Sequence, residues 1–225
     1  MVINLNNMRE IFWNNKKKLK LLIVVAHPDD FEIGCLGTVL RLINEKIKFE
    51  ITLVVFCCKD LRRRSEQLNS IRILEKKIKK KINIHLFDYP DTLLNNFIDK
   101  IKKDLHTIKK SFSKVDNLCV FTHHSMDMHQ DHMAVNKAVL QSIRTYKIFG
   151  FEILKYEDDL IRGPLYVKVD RSIAEFKAKH ILQNYTSQKK KLWFKKDTFI
   201  SLQKIRGVSA GEEFAEALAI EKLSY

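Results

Sequence analysis

An α/β fold, with a doubly wound, mostly parallel sheet flanked by helices, is predicted by three features of this 225-residue chain. Apolar runs of strand length alternate with amphipathic stretches of helical period, and that alternation builds parallel sheets. The first run, residues 21–26, is continuously apolar, as expected of a strand covered on both faces. Two polar clusters, His27-Pro-Asp-Asp30 and His123-His-Ser-Met-Asp-Met-His-Gln-Asp-His132, begin where strand-like runs end. In an open α/β sheet those strand ends form the edge at which ligands bind.

Taken in order, residues 21–26 form the first predicted strand. A glycine-bearing turn and a helix over about 38–44 follow. Residues 49–57 are the second strand. Over residues 65–80, Leu68, Ile71, Ile73 and Leu74 recur among charges, which predicts an amphipathic helix with a basic outer face. Residues 83–87 form a short third strand, and Thr92 is placed to cap a helix running to about residue 112. A fourth strand over 117–122 ends at the second polar cluster. A helix over 131–144 carries Val135, Ala138, Val139 and Ile143 on one side, and residues 152–156 read as another strand. After Asp159 the rhythm changes. Gly163-Pro164 precedes a short β-like run at 165–169, helices are predicted at 172–183 and 196–206, and an apolar stretch covers 214–220. With no internal repeat and no low-complexity linker, residues 160–225 are read as a C-terminal α/β extension that covers the site, within a single domain over 1–225.

Composition bounds the function. Apolar and charged fractions of 45% and 30% are ordinary for a soluble globular chain, and no apolar stretch approaches the ~20 residues that span a bilayer. Lys16 to Lys20 followed by an apolar run imitates the start of a signal peptide. The run is too short and enters His-Pro-Asp-Asp rather than a cleavage site, so residues 1–18 are read as a basic leader. Cys35, Cys57, Cys58 and Cys119 make no C-x-x-C pair and are read as buried thiols of a cytoplasmic protein. The formal charge of +14 has two readings: a lysine-rich composition, or attraction to an anionic partner. The lysine clusters lack the interleaved aromatics of a single-strand binder, and no nucleic-acid recognition motif appears. No nucleic-acid partner is expected.

The two clusters supply nitrogen and oxygen ligands for a divalent metal. His27 offers an imidazole, Asp30 reaches the same ion from three residues on, and His132 adds a third ligand from the first turn of the next helix. Two histidines and one carboxylate leave a fourth position for water, the pattern of hydrolytic zinc sites. Asp29, adjacent to a ligand yet surplus to the set, is placed as general base. His129 can donate to the oxyanion that develops on an attacked carbonyl. Each piece alone has a structural explanation: His-Pro in a turn, Asp-Asp or Asp131 as helix caps, His123 and His124 at the surface or behind a ligand. Their joint position at strand ends favours the metal.

Residues 26–38, Ala-His-Pro-Asp-Asp-Phe-Glu-Ile-Gly-Cys-Leu-Gly-Thr, resemble the first signature of the PIG-L/LmbE-like zinc N-deacetylases. His129-Gln-Asp-His132 resembles their second, followed by a helix with Val135 and Ala138. The resemblance implies a Rossmann-like fold and hydrolysis of an N-acetyl group from an amino sugar or its conjugate. It implies one Zn2+ or other divalent ion per chain on His27, Asp30 and His132, with Asp29 as base and His129 stabilising the tetrahedral intermediate. Asp131 is placed behind the ligands. Arg63-Arg-Ser-Glu66 sits where the family tends to carry Arg-x-x-Glu, which marks Arg63 for substrate binding. Tyr185-Thr-Ser-Gln188 and residues 206–216 resemble the C-terminal region of one bacterial branch. Phe31 and Leu36 depart from the pattern, where Glu and a second glycine are common. The expected partner is a small N-acetylated sugar, and the arginines at residues 62–64 suggest a phosphate-, nucleotide- or lipid-linked form. A metal-dependent amidase on another N-acyl substrate is the alternative, and a basic nucleic-acid binder with a vestigial site is a third reading.

Overall fold

The computed structural model describes residues 2–3, 11–12, 19–112, 117–144, 146–156, 160–161 and 165–223. Most of the basic leader, and the Gly163-Pro164 break, lie outside the described residues. Eight strands among those described join one sheet: β1 (Val2–Ile3), β2 (Leu19–Val25), β3 (Phe49–Val55), β4 (Ile82–Leu86), β5 (Asn117–His123), β6 (Lys147–Phe151), β7 (Leu165–Lys168) and β8 (Ala215–Lys222). Their order is β1-β7-β8-β6-β5-β2-β3-β4. Only β8 runs against the rest, antiparallel to both β6 and β7. The helices are α1 (Asp30–Gly34), α2 (Leu36–Asn44), α3 (Leu61–Ile78), α4 (Ile98–Lys109), α5 (Gln130–Ser142), α6 (Arg171–Asn184) and α7 (Lys196–Ala210). The predicted α/β class, with a mostly parallel, doubly wound sheet, is the fold observed.

The continuous apolar runs are explained by a core on each face of the sheet. Along β2, Leu19, Leu21, Ile23 and Val25 enter one core while Leu22 and Val24 enter the other. Helices α2, α3 and α6 cover the first face with Val39, Ile71 and Ile181; α4 and α5 cover the second with Leu105 and Val135. At ~25 cal/mol per Å² of apolar surface removed from water, this two-sided burial is the main force that fixes where the strands stop.

Three predicted elements shift. The strand expected at 152–156 lies at Lys147–Phe151. Apolar residues stand on both sides of Glu152 and offer two candidate strands; Phe149 anchors the first by packing 4.8 Å from Phe12 and 5.8 Å from Phe121, ring centroid to ring centroid. Glu152 is then buried beyond the strand, where Arg206 donates to both its oxygens at 2.8 and 2.6 Å. Thr92 does not cap a helix. Its φ is +66°, and a 3-10 turn over Leu94–Phe97 leads into α4. The Asp131 carboxylate accepts the Thr92 and Leu94 N–H groups at 2.6 and 2.9 Å, binding this strap to the sheet edge. Helix α3 begins earlier than predicted because Asp60 caps it, accepting from Arg62 and Arg63 N–H at 2.8 and 3.0 Å.

Gly150 lets β6 approach the chain that leaves β5. A Cβ there would stand 2.5 Å from His124 Cα and 2.7 Å from Glu221 Oε1. That Glu221 oxygen accepts the Ser125 N–H at 2.8 Å, so β8 holds the start of the second polar cluster. Gly150→Ala is therefore expected to destabilise the protein by about 1–3 kcal/mol, the usual cost of overpacking. Denaturant unfolding checks this; an unchanged midpoint would refute the close approach.

Candidate active site

Strands β2 and β5 are neighbours in parallel register, with Ile23 opposite Phe121. From β2 the chain continues to β3 and β4 on one side, while β5 and β6 lie on the other. This reversal of strand order opens the crevice in which α/β sheets bind ligands. Just beyond the strand ends, the Ala26 N–H donates to His123 Nε2 at 3.0 Å. The two polar clusters, about a hundred residues apart in sequence, are thereby tied together.

His27, Asp30 and His132 are all buried, and they converge. His27 Nδ1 lies 3.2 Å from Asp30 Oδ2 and 3.3 Å from His132 Nε2, and His132 Nε2 lies 3.4 Å from Asp30 Oδ2. Ligand atoms about 2.0–2.1 Å from a tetrahedral ion stand ~3.3–3.4 Å from one another. The spacing therefore fits a divalent ion, and N/O donors of this kind suit zinc and several other divalent metals. The far nitrogen of each imidazole is also held. His27 Nε2 lies 3.1 Å from Asp131 Oδ2 and 3.0 Å from Asp91 Oδ1. His132 Nδ1 lies 2.8 Å from Asp127 Oδ2. Such carboxylates fix ring orientation and leave the near nitrogen free to ligate.

Asp29 occupies a strained position, with φ 94° and ψ −25°. Few residues other than glycine adopt positive φ, and such strain collects at functional sites. The turn sends the Asp29 carboxylate away from the imidazoles. Its Oδ2 is 3.1 Å from Arg63 Nη2 and its Oδ1 is 3.2 Å from Lys155 Nζ. Arg63 also donates to the Pro28 carbonyl, while its buried Nε has no protein partner among the described residues. The Asp29 N–H reaches Gln67 Oε1 at 3.3 Å. Gln67 Nε2 and Ser70 Oγ both donate to Glu32, and Ser70 contacts His180 Nε2 at 2.8 Å. This buried chain backs the strained turn with α3 and α6.

His129 caps α5, its Nδ1 accepting the Asp131 N–H at 3.2 Å. With Nδ1 an acceptor, the neutral ring carries its proton on Nε2. Burial, and the neighbouring His132 and His27, lower its pKa. The ring stacks on His132, 4.4 Å between centroids, so a neutral N–H donor stands beside the converging ligand atoms.

The electrostatics favour a cation. Burial opposes protonation of His27, yet the carboxylates of Asp30, Asp131 and Asp91 outweigh it and hold its pKa well above the ordinary value. His132 is likewise raised, with Asp30 and Asp127 overcoming burial. Burial acts against the Asp30 carboxylate as well, but Lys155, His132 and His27 bring its pKa well below the usual range. Asp127 falls to about 2, where bonding to His132 overrides burial.

The structure thus brings together His27, Asp29, Asp30, His129, Asp131 and His132, and places Arg63 beside them. Of the two placements expected for His123, at the surface or behind a ligand, the structure has the second. The side chain is buried, with its ring 3.8 Å from that of His132 and parallel to within 6°. Lys155, Asp127 and Asp91 were missed by the sequence reading. Lys155 falls within the strand expected at 152–156, which lies at Lys147–Phe151 instead. Asp127 carries a detectable signal, since its carboxylate precedes His132 by five residues in the same cluster.

Residues 22–143 match the family model described as PIG-L: GlcNAc-PI de-N-acetylase. The chain is 33% identical over 147 residues to the uncharacterized deacetylase YaiS of Escherichia coli strain K12, covering 61% of this chain and 75% of that one. Among solved structures it is similar to N,N'-diacetylchitobiose deacetylase from Pyrococcus horikoshii, with a TM-score of 0.72 at 20% identity over 97% of this chain and 87% of that one. It is similar also to GalB, the 4-carboxy-2-hydroxymuconate hydratase of Pseudomonas putida KT2440, with a TM-score of 0.68 at 16% identity over 92% and 98%. A deacetylase and a hydratase share this fold, so the reaction must be argued from the site.

Reconstituted protein is expected to hold about one divalent ion per chain, and a His27→Ala, His132→Ala double variant to hold none. Both imidazoles keep protons above their ordinary range without an ion, so loading must release protons and must weaken as pH falls. Elemental analysis measures the stoichiometry. Calorimetry in buffers of different ionisation heat measures the release. Undiminished metal in the double variant would refute the site.

Proposed function

The chain belongs to the PIG-L family of de-N-acetylases, and from that premise we propose that it is a zinc-dependent hydrolase removing the N-acetyl group of an amino sugar or its conjugate. The observation that supports this reading is the spacing of His27 Nδ1, Asp30 Oδ2 and His132 Nε2, with a surplus carboxylate next to them. Bound there, zinc supplies Lewis acidity that lowers the pKa of a water toward ~7. Asp29 takes the proton of the attacking water and delivers it to the departing amine. His129 presents Nε2–H to the oxygen that becomes negative as the amide carbon turns tetrahedral. Asp131 and Asp127 hold the two ligand imidazoles in orientation. Arg63 orients Asp29. On this reading the chain acts as one domain, with residues 160–225 an extension that covers the site.

Acetate release by the zinc-loaded protein, screened over free, nucleotide-linked and lipid-linked N-acetylhexosamines, tests the proposal. No release from any N-acetyl sugar, by protein that holds its metal, would favour an amidase acting on another N-acyl group.

Asp29→Asn is expected to keep the fold, because asparagine tolerates positive φ, and to keep the metal, because Asp29 lies outside the ligand set. Turnover should fall ~10²–10⁴-fold with loss of the base. Loss of metal in Asp29→Asn but not in Asp30→Asn would reverse the two roles.

The substrate is proposed to carry a phosphate, since Arg62 is exposed on α3 at the same sheet edge as Arg63, and guanidinium forks suit phosphate oxygens. The kcat/KM for a phosphate-linked sugar is expected to fall with rising salt. Arg63→Ala should raise KM more for that sugar than for the free one. Equal, salt-insensitive kcat/KM for both would count against it.

A further inference from the structure

The Asp29-Asp30 pair offers four carboxylate oxygens beside a place for one ion. Three of them already have cationic partners. Arg63 Nη2 is 3.1 Å from Asp29 Oδ2, and Lys155 Nζ is 3.2 Å from Asp29 Oδ1 and 3.0 Å from Asp30 Oδ1. Only Asp30 Oδ2 faces His27 and His132, and its own backbone neighbourhood fixes it, the His27 N–H donating to it at 2.8 Å. Lys155 itself is held in place. It follows β6 in the chain, its side chain is only 12% exposed, and its ammonium stands 5.3 Å from the centroid of the Trp193 ring. Aromatic faces attract such cations.

A carboxylate with both oxygens free can chelate a divalent ion through the pair, and a second carboxylate next to it can join the shell. Either change would fill the position that a hydrolytic site must leave open. We propose that Lys155 is a positioning residue that sets the coordination number of the bound ion. By engaging Asp30 Oδ1 it limits Asp30 to one ligating oxygen, and by engaging Asp29 Oδ1 it keeps Asp29 out of the shell. This rests on the proposed metal site. It adds that the choice between the two aspartates, and the open fourth position, are decided by a lysine from a segment well over a hundred residues further along the chain.

Cobalt(II) reports coordination number through its visible absorption, which is intense for four ligands and weak for five or six. Wild type, Lys155→Met and Lys155→Arg are to be loaded with cobalt(II), with thermal unfolding of each as a control. A several-fold fall in visible absorptivity per bound cobalt is expected in Lys155→Met, with most of the intensity kept in Lys155→Arg. A purely structural lysine would lower the unfolding temperature and leave the spectrum alone. Removing the lysine leaves two buried carboxylates short of a partner. Should Lys155→Met fail to fold, the Asp29→Asn, Lys155→Met double variant compared with Asp29→Asn gives the same reading with one charge fewer. Bound cobalt with wild-type absorptivity in the lysine-free variant would overturn the proposal while leaving the metal site intact. Failure of the wild type to bind cobalt would overturn the metal site instead, and this inference with it.

Discussion

Charge burial is the constraint around which this sheet edge is organised. Asp29, Asp30, Asp127 and Asp131 are each at most 2% exposed, and an ion taken out of water costs several kcal/mol unless a partner replaces the solvent. Every one of these carboxylates has such a partner: Arg63 and Lys155 for Asp29, Lys155 and two imidazoles for Asp30, His132 for Asp127, and His27 with two backbone amides for Asp131. The partners come from the segment after β6, the turn after β2, α3, α5 and the strap before α4. The geometry of the site is therefore set less by any one motif than by the need for each element to bring its share of countercharge to one place.

The same balance explains what could be read from the sequence. His27, Asp29 and Asp30 share one short turn, and His129, Asp131 and His132 share one helix start, so their chemistry is written locally. The strands that carry them are legible because both faces are buried and the apolar runs are unbroken. Lys155 is different. Its partners lie 125 and 126 residues away, and it sits beyond a strand whose position is fixed by Phe149 against Phe12 and Phe121. Asp91 and the Thr92 strap are hidden for a like reason, since their conformation is imposed by Asp131. Arg63-x-x-Glu66 and Tyr185-Thr-Ser-Gln188 read as two separate stretches, yet they form one contact. The Glu66 carboxylate accepts from the Ser187 N–H at 2.7 Å and the Ser187 hydroxyl at 2.6 Å.

Beneath the strained Asp29 turn, polar groups replace the usual apolar packing. Burial raises the Glu32 pKa to about 7 and lowers that of His180 to about 4. A network of this kind specifies one arrangement more sharply than it stabilises it. Phe31, by contrast, is fully buried in the main core. Glu32, next along the chain, is the acid of this network, accepting from Gln67 and Ser70.

The last strand has a consequence of its own. Strand β8 lies between β6 and β7, and β7 in turn is the partner of β1. Its Glu216 accepts from the Gly37 and Thr38 N–H groups at the start of α2 and pairs with Lys177 at 2.6 Å; a Cβ on Gly37 would stand 2.5 Å from its Oε1. Domains are assembled from the N-terminal side as the ribosome extends them. Here strands β2 to β6 can pair early, but the first N–H groups of α2 lack their Glu216 acceptor, and β7 lacks its β8 partner in the sheet, until residues 215–222 have emerged. A nascent chain would hold the parts of its catalytic edge long before it could lock them. Maturation of the site is thereby coupled to the arrival of β8.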